Sequence, residues 1–289
     1  MSDMTPQALL PRQIITGKAR LAGVLGWPVS HSRSPLLHNY WLARYGIDGA
    51  YVPLPVAPAQ FAEAVHGLQA AGFRGANVTI PHKEAAYALA TELDHTAQRA
   101  GAVNTLIFEA NGAIRGLSTD GDGFVASMES AGHKPQGKAL LLGAGGAARS
   151  VAAALQDRGL HVAVTNRTDA RAHALAEALP GLDVVPWAMW EQELGAYSLL
   201  VNTTSLGMEG GPDPMFRPSL QHAAPHLVVA DIVYVPRVTP LLAEAEQKGL
   251  KTVEGLGMLL HQARLGFREW FGQDPEVDAG LEAYVRASL

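Results

Sequence analysis

Leu140-Leu141-Leu142-Gly143-Ala144-Gly145-Gly146-Ala147-Ala148 decides the fold. The leucines form a buried strand, and G-x-G-x-x-A follows where a helix would open. Gly143 permits the tight turn, Gly145 lets the backbone approach a pyrophosphate, and Ala148 is small enough for the helix to sit close to the sheet. Amides at the start of that helix then face phosphate oxygens. Gly143, Ala144, Gly145, Gly146 and Ala147 thus read as the phosphate loop of a Rossmann dinucleotide-binding domain.

The next strand, 161–165, leads into Asn166-Arg167-Thr168-Asp169-Ala170-Arg171. An NAD site usually holds an acid there for the ribose 2′-hydroxyl. Arg167 stands in its place and Arg171 follows at helical spacing, so two guanidinium groups can clasp a 2′-phosphate. The pattern favours NADP(H), and Asp169 reads as the cap of the following helix.

Outward from this unit, a helix over 170–179 and strands at 183–185, 199–202 and 227–231 continue a βα alternation, which predicts a parallel sheet with helices on both faces. Upstream, strands at 21–25, 50–54 and 75–80 alternate with helices. One helix opens at Ser34-Pro35, with serine as N-cap, and stops at Gly46. Asn111-Gly112 joins strands 106–108 and 114–116 in a hairpin with a type I′ turn. Two closing helices span 258–271 and 275–288.

The chain has 289 residues, which at roughly 150 per domain means two domains. With 48% hydrophobic and 17% charged residues it is globular, and a net charge of −5 offers no footprint for nucleic acid. Cysteine is absent, which removes disulfides and thiolate metal sites and fits a reducing cytoplasm. Residues 1–12 lack the apolar segment of a signal peptide. The apolar runs at 140–142 and 227–230 fall far short of the ~20 residues that span a bilayer. His222 and His226 have helical spacing, but Pro225 between them spoils the helix, so no metal site is expected.

Over nearly its whole length the sequence resembles the shikimate dehydrogenase family. The segments that carry the resemblance are GWPVSHSRSPLLHN (26–39), NVTIPHK (77–83), GAVNT (101–105), STDG (118–121), the glycine loop with NRT (166–168), NTTSLGM (202–208) and GLGMLLHQ (255–262). The resemblance implies two α/β domains: residues 1–119, joined by a returning 255–289, bind substrate, and residues 120–254 form the Rossmann NADP-binding domain. It implies reversible hydride transfer between 3-dehydroshikimate and shikimate, a step of chorismate biosynthesis.

On the same resemblance, Ser32 and Ser34 bind the substrate carboxylate, and Thr79, Asn104, Gln262 and Tyr234 contact the substrate. Lys83 and Asp120 meet at the reacting hydroxyl, where a proton must move as hydride is transferred. Gly255 and the 232–234 segment, including Ile232, flank the nicotinamide, and Asn166, Arg167, Thr168 and Arg171 hold the 2′-phosphate end. Ser118 stands where the family commonly has asparagine. The nearest alternative is a quinate/shikimate dehydrogenase of the same fold, against which Ser34 and Arg167 argue. A non-catalytic NADP or metabolite sensor is the other. The expected partner is the small-molecule substrate, with the chain a monomer or homodimer.

Overall fold

The apolar run that begins at Leu21 is buried on both faces, because the strand it forms lies inside a sheet and not at its edge. The computed structural model describes residues 15–289, so the leader reading of residues 1–12 falls outside it. The chain divides into two units: Met1–Gln98 with Ala102–Thr119 and Gln262–Leu289, and Arg99–Gly101 with Asp120–His261.

In the first unit the strands are β1 (Arg20–Gly26), β2 (Gly49–Pro55), β3 (Gly75–Val78), β4 (Glu92–Leu93), β5 (Thr105–Phe108) and β6 (Ile114–Leu117). They lie in the order β2-β1-β3-β5-β6-β4. β1 pairs in parallel with β2 and β3, while β5 runs antiparallel to β3 and β6, so this sheet is mixed. Helices α1 (Ser34–Arg44), α2 (Phe61–Ala70), α3 (Lys83–Leu89) and α4 (His95–Ala100) connect the strands.

Two expectations are corrected here. Ser34 is not the N-cap of α1 but its first residue; Arg33 precedes it without a side-chain cap, and Pro35 falls in the first turn. The hairpin turn is not type I′, because Gly112 (φ +88°) is left-handed while no described non-glycine residue has positive φ. Gly112 N–H donates to Glu109 O, and Glu109 N–H donates to Ala113 O, both at 3.0 Å. This makes a three-residue loop closed by a left-handed glycine, the other hairpin connection that Asn-Gly supports.

The second unit opens with α5 (Asp120–Ser130) and contains β7 (Lys138–Leu142), α6 (Gly146–Asp157), β8 (His161–Thr165), α7 (Asp169–Ala178) and β9 (Leu182–Val184). A short α8 (Trp190–Glu193), β10 (Leu199–Asn202), β11 (Val228–Asp231), α9 (Pro240–Gln247) and β12 (Lys251–Val253) follow. The strands are all parallel in the order β12-β11-β10-β7-β8-β9. Numbered within the unit this is 3-2-1-4-5-6 read from β9, the Rossmann order, whose switch point lies between β7 and β10. Leu141 packs into one apolar cluster while Leu140 and Leu142 pack into another, because successive side chains point to opposite, helix-covered faces.

The chain closes with α10 (Leu256–Phe271) and α11 (Ala279–Arg286). The return to the first unit begins at Gln262, within α10, so residues 255–261 belong to the second unit. Trp270 anchors the returning segment: its indole N–H donates to Leu106 O at 3.0 Å. Gly75 makes room for it, since a Cβ there would lie 2.4 Å from that indole nitrogen.

Candidate active site

In the first unit the carboxyl ends of β1 and β3 are drawn close. Thr79 N–H donates to Leu25 O at 2.9 Å, and a Cβ on Gly26 would stand 2.5 Å from the Thr79 methyl. Thr79 is therefore held by backbone with its side chain against a glycine. The turn that follows leads through Pro81 to His82, which is buried, stacked on Phe61 and hydrogen-bonded to Val56 O at 2.8 Å. That histidine is structural, and it fixes the start of α3, whose first residue is Lys83. Val103 N–H donates to Lys83 O at 3.0 Å, so the lysine backbone is tied to the residue before Asn104.

Asn104 is the centre of a buried polar cluster. Its Nδ2 donates to Thr119 Oγ1 at 2.9 Å and to Gln262 Oε1 at 3.3 Å, while its Oδ1 accepts from Thr119 N–H at 2.8 Å. Behind it, Asn77 Nδ2 donates to Asn104 O and Thr105 Oγ1, and Tyr51 Oη donates to Asn77 Oδ1 at 2.6 Å. Burial pushes the Tyr51 phenol well above its usual pKa, opposed by a hydrogen bond with Ser34. Tyr51 in turn stacks on His38 at 4.0 Å, a ring so enclosed that desolvation lowers its pKa to about 3. Ser34 N–H reaches Ser32 Oγ at 3.3 Å, so Ser32 supports the first turn of α1 in place of the missing cap.

Asp120 and Tyr234 lie in the second unit. Asp120 is 6% exposed and opens α5, where the helix dipole favours a carboxylate. Gly121 beside it lets α5 meet α6 backbone to backbone, since a Cβ there would stand 2.3 Å from Ser150 O. Tyr234 follows β11 in a loop that contains the cis Val235-Pro236 bond.

The glycine turn has the geometry a dinucleotide requires. Gly143 is left-handed (φ +111°), and a Cβ would collide with Thr204 Cγ2 at 2.7 Å and Thr203 Oγ1 at 2.9 Å. Gly145 differs: a Cβ there would meet nothing within 4 Å, which leaves the approach to its backbone open. It caps α6 without a side-chain bond, and the first turn of that helix carries no acid. Amides at the start of α6, with the positive dipole end behind them, suit a pyrophosphate.

At the end of β8, Asn166 Nδ2 donates to Thr168 O at 2.8 Å, and Arg171 N–H donates to Thr168 O at 3.0 Å, which shapes the turn. The Arg167 and Arg171 side chains are exposed, and among the described residues no carboxylate pairs with either. Asp169 is corrected from N-cap to first residue of α7, after Thr168, and its carboxylate lies 3.5 Å from His173 Nε2. Across the sheet, a Cβ on Gly255 would stand 2.5 Å from Ile232 O and Val233 O, so the structure packs two expected nicotinamide neighbours together. This donor set fits NADP: open amides for phosphates, two unpaired guanidiniums for a 2′-phosphate, and a close-packed glycine at the end where the ring is expected.

Sequence reasoning did not single out Thr119, Asn77, Asn202 or Asp231. Thr119 and Asn202 stood inside quoted motifs, and Asp231 directly precedes the 232–234 segment, so adjacency was their signal. Asn77 also opened a quoted motif, while nothing local marks Tyr51; their roles come from contacts between β2, β3 and β5.

Comparison with known proteins agrees with this arrangement. A family model for the shikimate dehydrogenase substrate-binding domain matches residues 24–106. One for shikimate/quinate 5-dehydrogenase matches 126–258, and one for the shikimate 5′-dehydrogenase C-terminal domain matches 255–283. The chain is 56% identical to shikimate dehydrogenase (NADP(+)) of Gluconobacter oxydans over 276 residues, covering 96% of this chain and 99% of that one. It is also 56% identical to the same-named protein of Acidiphilium cryptum, again over 96% of this chain and 99% of the other. The crystal structure of shikimate 5-dehydrogenase from Thermus thermophilus with NADP(H) and shikimate superposes with a TM-score of 0.83 at 40% identity, over 93% of this chain and 100% of that one. The Rossmann strand order, the open glycine turn, the Asn104 cluster and identity at this level over almost the full length lead to one conclusion: this chain belongs to the shikimate dehydrogenase family.

Proposed function

We propose that this protein is an NADP-dependent shikimate dehydrogenase, an oxidoreductase that reversibly reduces 3-dehydroshikimate to shikimate in chorismate and aromatic amino-acid biosynthesis. The observation that carries the reading is the Asn104–Gln262 pair, 158 positions apart in sequence and hydrogen-bonded at 3.3 Å beside Thr119. A buried pair of amides that offers both donors and acceptors suits a ring bearing several hydroxyls.

The first unit takes the substrate and the second takes NADP. Ser32 and Ser34 hold the ring carboxylate, and Thr79, Asn104, Gln262 and Tyr234 orient the ring. NADPH, when bound, supplies the hydride that adds to the carbonyl carbon. Lys83 donates a proton to the carbonyl oxygen as the hydroxyl forms and receives it back in the reverse direction. Asp120 orients the lysine and the hydroxyl. Arg167 and Arg171, with Asn166 and Thr168, hold the 2′-phosphate. The protein works in the cytoplasm as a monomer or homodimer, a setting that suits a chain without cysteine.

Purified protein mixed with NADPH and 3-dehydroshikimate should consume the coenzyme, and shikimate with NADP⁺ should regenerate it. Failure of both reactions refutes the proposal. Faster turnover of quinate than of shikimate would move the assignment to the quinate branch.

A further inference from the structure

Asp231, the last residue of β11, is 2% exposed, and no cation among the described residues forms an ion pair with it. A carboxylate buried without a counter-charge is held only where hydrogen bonds replace water. Three donors do so here: Asn202 Nδ2 at 3.0 Å, Val233 N–H at 2.9 Å and Thr239 Oγ1 at 2.7 Å. They come from the end of β10 and from two points of the loop between β11 and α9.

Two of the three donors lead to the coenzyme site, while Thr239 caps α9. Asn202 Oδ1 accepts from Thr204 N–H at 3.1 Å and Thr204 Oγ1 at 2.6 Å. Thr203 and Thr204 are the residues that crowd Gly143 on the phosphate side. Val233 O and Ile232 O press on Gly255 on the nicotinamide side. One buried carboxylate therefore lies three contacts from Gly143, through Asn202 and Thr204, and two contacts from Gly255, through Val233.

We infer that Asp231 is a positioning residue for the coenzyme, fixing the Thr203-Thr204 turn and the loop after β11 in a single arrangement. It touches neither ligand; it acts through Asn202, Val233 and Thr239. The inference rests on reading the second unit as the NADP site.

The test compares the full-length protein with Asp231→Asn, Asp231→Ala and Thr204→Ala, measuring NADP⁺ dissociation constants by titration and the KM for shikimate at saturating coenzyme. Asn keeps an acceptor for Asn202 and Val233 but turns a donor toward Thr239. Ala leaves all three donors empty. Expected are NADP⁺ dissociation constants raised about threefold or more for Asn and about tenfold or more for Ala, with the shikimate KM within about twofold. Thr204→Ala, which leaves Asp231 untouched, should weaken NADP⁺ about threefold, and it keeps the test decisive if the alanine at 231 does not fold. NADP⁺ affinity within twofold of the unaltered protein in the folded variants overturns the inference, as does equal weakening of both ligands. An unaltered protein that binds no NADP⁺ overturns the functional reading itself, and this inference with it.

Discussion

Replacing Arg167 by alanine isolates the physical basis of coenzyme choice. Its guanidinium is exposed and paired with no carboxylate in the described chain, so the substitution removes no internal ion pair and leaves no buried group stranded. What is lost is the bond to the 2′-phosphate. Hydrogen bonds to charged groups contribute about 1.5–3 kcal/mol, which corresponds to a roughly 10–150-fold loss of affinity. Arg171 remains one helical turn away and retains part of the attraction, so the lower half of that range is expected. The loss should be confined to coenzymes that carry the phosphate. Steady-state kinetics with NADPH and NADH would show KM for NADPH rising about 10–40-fold, kcat nearly unchanged, and KM for NADH within about twofold. Raising the salt should shrink the NADPH effect, because exposed charges are screened. If Arg167→Ala weakened NADPH and NADH equally, the arginine would be structural and the argument from the absent acid would be wrong.

Other outcomes follow from the same geometry. Lys83→Met should lower kcat by about 10²–10⁴-fold while NADP⁺ titration remains normal, because proton transfer and not coenzyme binding is removed. Thr119→Val strips the donor and acceptor that hold Asn104; shikimate KM should rise and unfolding free energy fall by about 1–3 kcal/mol in denaturant melts. Asp231 links stability to pH. Burial raises its folded pKa to about 6 from 3.8. Below the lower value both states are protonated. As pH rises through this window the unfolded chain ionises first, so the native protein should lose about 2 kcal/mol relative to Asp231→Asn between pH 4 and 6.5, and little more above. Gly75→Ala should prevent folding of the first unit, since its Cβ would lie 2.0 Å from Leu106 O; soluble protein with native circular dichroism would contradict that.

Requirements that fall on consecutive residues were legible in the sequence. Gly143 and Gly145 announced themselves because a tight turn and an open approach each exclude a side chain, and Arg167 was informative because an acid was expected at its place. Where two local solutions share one chemistry, residue type was ambiguous. Asn111-Gly112 supports both a two-residue and a three-residue hairpin loop, and the ladder between β5 and β6 decided between them. Ser34 read as a cap because serine before helical proline usually is one, yet the helix begins one residue earlier. Its hydroxyl faces Tyr51 instead, a contact set by the neighbouring strand β2.

Long-range pairings left no local trace. Asn104 meets Gln262 only because α10 crosses from one unit to the other midway, and no residue pattern marks Gln262 as the point of return. Asp231 had only its place before the 232–234 segment to mark it, because its lack of a charged partner is something only burial reveals.

The most direct measurement is the initial rate at which the purified protein forms NADPH from NADP⁺ and shikimate, run beside Lys83→Met. The account predicts steady formation by the unaltered protein, dependent on both compounds, and near-background rates for a variant that still binds NADP⁺. No NADPH from the unaltered protein, or an undiminished rate from the variant, would contradict it.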